Sequence, residues 1–169
     1  MKQRYLILFS LSGLILSVDQ LLKHIVSTAW VNQAATELIP RILTGVLKKN
    51  NGFVFGFLQQ APKQLQDVFF IAVPVFALIL IVLIFIKLQD NQMLTSIALT
   101  TIFSGAVGNL LDRIKYGFVV DFLQLHWQQK LLLPAFNVAD ISILSGVFLM
   151  FINTFRNHRR NLNQHRTPK

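Results

Sequence analysis

The chain has no cysteine, which excludes disulfides, thiolate nucleophiles and cysteine-ligated metal. It is also short of charge: 14% of its 169 residues are charged, and only seven are acidic. With 53% hydrophobic residues and a mean hydropathy of +0.54, it is too apolar for a water-soluble domain of this size. Motifs for several chemistries are missing as well. The sequence contains no HExxH, no GxSxG, no phosphate-binding loop and no histidine pair at metal-ligand spacing. Internal repeats and low-complexity linkers are absent, so residues 1–169 read as a single integral membrane domain. The net charge of +9 lies beside apolar segments and in the last fourteen residues, a distribution that suits anionic lipid headgroups rather than nucleic acid.

What is present is a set of long apolar runs. Crossing the hydrocarbon core takes about 20 residues of helix. Four stretches qualify: residues 5–22, 68–86, 93–111 and 139–155. The second, "VFFIAVPVFALILIVLIFI", carries no charge, and Pro74 is a candidate kink that helix neighbours can accommodate. The first, with its basic start, could instead be a cleaved secretory signal, but no small-x-small cleavage site follows it. Lys2 and Arg4 precede the first span, Lys87 follows the second, and the tail 156–169 is basic. The density of Lys and Arg therefore puts both termini in the cytoplasm, although the outer loops hold equal numbers spread over more residues. Outer loops then cover 23–67 and 112–138. Within them "ATELIPRILTGVLKKNNGFVFGFL" and "FVVDFLQLHW" read as short strands, and "QQAPKQLQDVFF" as a short polar helix entering the second span. Trp30 and Trp127 fall on the outer side, where indoles favour the headgroup region.

The placement of the acids is the informative pattern. Asp19 closes span one, Asp112 closes span three, Asp121 lies in the following loop and Asp140 opens span four. Four carboxylates, distant in sequence, return to one membrane face, where each is costly unless paired or used. Asp19 and Lys23 stand four apart and form an ion pair if helical. Asn109, Asp112 and Arg113 share a helix face. A carboxylate at a helix C-terminus needs a cation, and Arg113 either supplies it or reaches a substrate carbonyl. Asp140 is three residues beyond Asn137, the spacing of a capping box. Asp121, in "VVDFL", has apolar neighbours, with Lys115 or Arg113 as the available salt-bridge partners.

Two carboxylates held together in a poorly solvated site share one proton, so one can deprotonate water while the other polarises a carbonyl. Magnesium held by two aspartates is a competing use. A proton-coupled transporter is another, but it calls for acids near mid-span and on both faces. A noncatalytic scaffold would tolerate loss of either Asp121 or Asp140.

"GNLLDRIKYGFVVDFL" together with "FNVADISI" resembles the two signature blocks of the bacterial lipoprotein signal peptidases, or signal peptidase II. "DQLLK" at 19–23 and "NNGFVFGFL" at 50–58 extend the resemblance across all four spans. The resemblance implies an all-α membrane protein of four transmembrane helices, with a small extracytoplasmic β-cradle and a short periplasmic helix. It also implies an aspartic endopeptidase of the bacterial inner membrane that cuts prolipoproteins before a diacylglyceryl-modified cysteine at the outer face. Asp121 and Asp140 match the catalytic dyad. Asn50, Gly52, Asn109, Arg113 and Asn137 match substrate-contacting polar positions, and Asp19, Lys23 and Asp112 match structural supports. No metal or organic cofactor is implied. The expected partners are the lipid-modified prolipoprotein and membrane lipids, with no nucleic acid, and the chain is expected as a monomer. One departure stands out: Phe53-Val54-Phe55 follows N-x-G where the family has two small residues before Phe. It bears on how that loop packs on substrate and leaves the dyad untouched.

Overall fold

The computed structural model describes residues 3–30, 35–51, 62–127 and 131–166. Four long helices dominate: α1 (Gln3–Ala29), α2 (Lys63–Ile86), α3 (Met93–Tyr116) and α4 (Val138–Arg166). Each is long and apolar enough to cross a bilayer. Between α1 and α2 lie β1 (Thr36–Ile39) and β2 (Leu43–Asn50); between α3 and α4 lie β3 (Val119–Trp127) and β4 (Leu131–Leu132). The strands form an antiparallel sheet in the order β1-β2-β3-β4.

The distribution of residues is inverted relative to a protein in water. Leu144 (71% exposed), Phe76 and Phe148 face outward, whereas among the described residues Asn137, Thr100, Asp19, Asp112 and Asp121 are the largest fully buried side chains. Such an exterior needs hydrocarbon around it, and such an interior needs its polar groups satisfied within the protein. α3 is the central helix, packed on α4, α1 and α2. Its contact with α4 depends on small residues: a Cβ on Gly105 would overlap the Ala139 carbonyl, and one on Gly146 would sit 2.6 Å from Ile102 Cγ1. Toward the Met93 end, Phe85, Leu88 and Leu99 pack with Tyr5, Leu8, Ile81 and Met150.

Helix ends differ from the apolar runs for physical reasons. α1 continues beyond Leu22 because Asp19 and Lys23 neutralise each other inside the bundle rather than ending the helix. α2 runs through Pro74 and already includes Gln64–Asp67, so the polar stretch is the opening of α2. A separate short helix is not found among the described residues. α3 stops at Gly117, whose φ of 77° is the left-handed cap conformation and whose N–H donates to Arg113 O. This reversal sends β3 back across the end of α3.

Candidate active site

Gly117 turns the chain so that Val120 N–H donates to Asp112 Oδ2 at 3.1 Å, which pins the start of β3 to α3. β3 pairs with β2 so that Asp121 faces Lys48 and Val119 faces Asn50. Asn50 is thus diagonal to Asp121, and its Nδ2 donates to Asp121 Oδ2 at 2.8 Å. Further along, Phe136 and Leu123 exchange backbone hydrogen bonds, which brings Asn137 beside β3. Asn137 Nδ2 donates to Asp121 Oδ1 at 2.8 Å.

Asn137 also starts α4. Its Oδ1 accepts from Asp140 N, and Asp140 Oδ2 accepts from Asn137 N, a reciprocal capping box. The remaining oxygen, Asp140 Oδ1, accepts from Asn109 Nδ2 at 2.8 Å. Cap and site are therefore one arrangement. Asn137, completely buried, touches both carboxylates, while Asn109 holds Asp140 from α3. Burial pushes the Asp121 carboxyl up from its ordinary 3.8 to about 6. The Asp140 charge raises it further, against the lowering effect of hydrogen bonds from Asn50 and Asn137 and of the Lys23 charge.

Behind this pair lies a second layer. Lys23, 3% exposed, pairs with Asp19 Oδ2 at 2.8 Å and Asp112 Oδ2 at 2.9 Å, and donates to Asn109 Oδ1 at 3.0 Å. All three ammonium hydrogens have partners, and the third orients the Asn109 amide so that its NH2 faces Asp140. Asp19 Oδ1 accepts from Ala139 N at 2.9 Å, which adds a second cap to α4. Gly108 permits that approach, since a Cβ there would lie 2.8 Å from Asp19 Oδ2.

The cation that pairs with Asp112 is therefore Lys23. Arg113 forms no ion pair among the described residues; its Nη1 reaches Asn109 O at 3.5 Å and its side chain is half-buried. Asp121 has no salt bridge to Lys115 or Arg113 among the described residues; Lys115 instead sits 4.8 Å over the Tyr116 ring. Arg113, although adjacent in sequence, makes no ion pair with Asp112 among the described residues, whereas Lys23 reaches it from the parallel helix α1. Sequence reasoning missed Gln20, whose Nε2 donates to Asp112 Oδ1, Gly108 O and Asp19 Oδ2. Its place between Asp19 and Lys23 in "DQLLK" was the available signal. Gly52, the Phe53-Val54-Phe55 departure and the Trp127 side chain lie outside the described residues. Trp30 packs on Gly45 of β2, at the sheet end of the bundle.

A polar centre walled by apolar helices, with two amide-clamped carboxylates at one end, defines a multi-pass membrane protein equipped for acid–base chemistry. The signal peptidase (SPase) II family model matches residues 11–156, and the chain belongs to that family. It is therefore a protease of lipoprotein processing that removes signal peptides from prolipoproteins. The lipoprotein signal peptidase of Geobacter metallireducens is 38% identical over 95% of this chain and 97% of its own length. That of Geobacter sulfurreducens is 39% identical over 86% and 89%. Among solved structures, a bacterial membrane enzyme determined by the in meso method superposes with a TM-score of 0.78 at 28% identity. That match covers 100% of this chain and 94% of the other.

Proposed function

We propose that the chain is an aspartic endopeptidase in which Asp121 and Asp140 form the catalytic dyad. It cuts the prolipoprotein immediately before the diacylglyceryl-modified cysteine. The observation that carries this reading is that Asn137 donates to both carboxylates, through its side-chain Nδ2 to Asp121 and its backbone N–H to Asp140, with Asp121 held up at about 6 by burial. A pair that shares one proton near neutral pH supplies both a base and an acid. The ionised carboxylate takes a proton from water, and the water oxygen attacks the scissile carbonyl carbon. The protonated carboxyl gives its proton to the carbonyl oxygen, forming a neutral tetrahedral diol. Collapse returns one hydroxyl proton to a carboxylate, while the proton first taken from water passes to the leaving nitrogen as the C–N bond breaks. The pair ends with the single proton with which it began, and no step uses a metal or cofactor.

Asn109 and Asn137 spend their donors on the carboxylates, so in this reading they position the dyad, as Asn50 does for Asp121. Among the described residues Arg113 has donors to spare for a substrate carbonyl, and Gly52 is a further substrate-contacting position of this reading. Asp19, Lys23 and Asp112 support the frame. Both termini lie in the cytoplasm and the dyad at the outer interface of the inner membrane. There an apolar signal helix and acyl chains stay in lipid while the scissile bond reaches the carboxylates. The working unit is a monomer.

The test is cleavage of a diacylglyceryl-modified prolipoprotein by detergent-solubilised wild type, Asp121→Asn and Asp140→Asn, each first verified as folded by its thermal midpoint. Both variants should lose turnover. Substantial cleavage by either folded variant would overturn the dyad.

A further inference from the structure

At the end of the bundle opposite the carboxylates lies a cavity of about 380 Å³. Its walls include Asn91 and Gln92 from the α2–α3 turn, Thr95 from α3, and Asn153, Arg156 and Asn157 from α4. From Gln92 to Asp112 is twenty residues of α3, roughly 30 Å, so the reaction proposed above does not use this cavity. Its walls are built: Asn153 Nδ2 donates to Thr95 Oγ1 at 2.9 Å, tying α4 to α3, and Gln89 N donates to Gln92 Oε1 at 2.8 Å, closing the turn.

The chemistry of the lining is one-sided. Among the described residues no carboxylate lines the cavity and the charged group is the Arg156 guanidinium, with amides and a hydroxyl supplying most of the remaining wall. Arg156 has no hydrogen bond or ion pair among the described residues, although a guanidinium offers five donors. The side chains of Asn91 and Asn157 likewise make no hydrogen bond there. A cation would meet a positive wall, and an apolar group would leave these donors unmatched. An oxyanion with several acceptor oxygens matches them. The cavity also lies where α2 ends at Ile86 and α3 begins at Met93, the depth at which apolar helix gives way to headgroups.

We propose that this cavity binds a phosphate ester of net negative charge, held by Arg156 and the surrounding amides, on the membrane face opposite the dyad. Two sources carry that group: an anionic phospholipid headgroup and a soluble phosphate ester. The full chain is placed in nanodiscs of phosphatidylcholine, in nanodiscs containing phosphatidylglycerol, and in phosphatidylcholine nanodiscs with glycerol 3-phosphate in solution. Binding is read from the thermal midpoint as the amount of each phosphate is increased. Arg156→Gln should weaken the response on the order of tenfold, the cost of one charge-assisted contact. Arg159→Gln, which removes the same charge outside the lining, should leave it intact. A response to phosphatidylglycerol alone assigns the site to a lipid. An equal response to glycerol 3-phosphate keeps the site and assigns it to a soluble ester. No response to either phosphate, or equal weakening by Arg156→Gln and Arg159→Gln, would overturn the proposal, the latter because diffuse surface charge would then suffice. Prolipoprotein cleavage by Arg156→Gln in phosphatidylcholine should remain at the wild-type rate, so loss of phosphate binding is separable from loss of the dyad.

Discussion

Replacing Lys23 with methionine tests whether the buried charge layer is organised around one cation. Lys23 is 3% exposed, and the two carboxylates it bridges, Asp19 and Asp112, are 0% and 1% exposed. Methionine fills nearly the same volume, so the change is chiefly electrostatic: two carboxylates lose their common partner and face each other without it. Removing one partner of a buried ion pair costs about 3–5 kcal/mol. For a chain of this length that corresponds to a fall of roughly 6–20 °C in thermal midpoint. Asp112→Asn should cost less, about 1–3 kcal/mol, because Lys23 keeps Asp19 and only one of the new amide's faces opposes the donors of Gln20 and Val120.

The double variant separates this account from simple loss of packing. With Lys23 already removed, Asp112→Asn takes away one of two uncompensated charges, so the double variant should be more stable than Lys23→Met alone. Turnover provides an independent readout, since Lys23 donates to Asn109 Oδ1 and thereby aims the Asn109 NH2 at Asp140. Thermal midpoints and cleavage rates of wild type, both single variants and the double variant, all in one detergent, complete the cycle. A loss below about 1 kcal/mol for Lys23→Met, or strict additivity in the double variant, would refute the reasoning.

The remaining predictions concern packing, the cap and pH. Gly146→Ala should lower stability by about 1–3 kcal/mol because its Cβ would fall 2.6 Å from Ile102 Cγ1 and 2.7 Å from Ala98 O. Gly13→Ala, with nothing within 4 Å, should be silent in the same thermal assay. Asn137→Ser keeps an N-cap oxygen but loses the buried amide donor to Asp121, so stability should fall by about 1–3 kcal/mol while kcat collapses. Asn137→Ala should lower both. Asn50→Ala removes a hydrogen bond that favours the charged form of Asp121, so the limb of the pH–rate profile near 6 should move to higher pH. Because Asp121 titrates near 6 in the folded protein and at 3.8 ordinarily, its stabilising contribution is complete below about pH 4 and is lost as pH rises through about 6. Wild-type midpoints should therefore fall across that window relative to Asp121→Asn measured in the same buffers.

How much of this was legible depended on whether the signal was local. The four helices could be read because hydrocarbon imposes a length and an apolar composition that each run displays on its own. The Asn137–Asp140 capping box and the Asp19–Lys23 pair were legible for the same reason, since both are fixed by spacing along one helix. The partner of Asp112 was not. Arg113 is adjacent in sequence, but the donors that reach Asp112 belong to Gln20 and Lys23 on a parallel helix about 90 residues earlier. No helical period within α3 encodes that contact. The Asp121 position is intermediate. Its strand was readable from alternation, but its approach to Asn137 requires both the left-handed turn at Gly117 and the Leu123–Phe136 bridge. The glycines show why such contacts resist local reading. Gly105 and Gly108 look like small residues in an apolar run, yet they set how near α4 and Asp19 can come to α3. In a bundle surrounded by lipid, burial of apolar surface does little to choose among helix pairings; close approach at small residues and satisfaction of polar groups do that instead. The residues that fix the tertiary arrangement here are thus largely the residues of the site. A substitution that only loosens the helix packing should therefore also reduce the rate of cleavage.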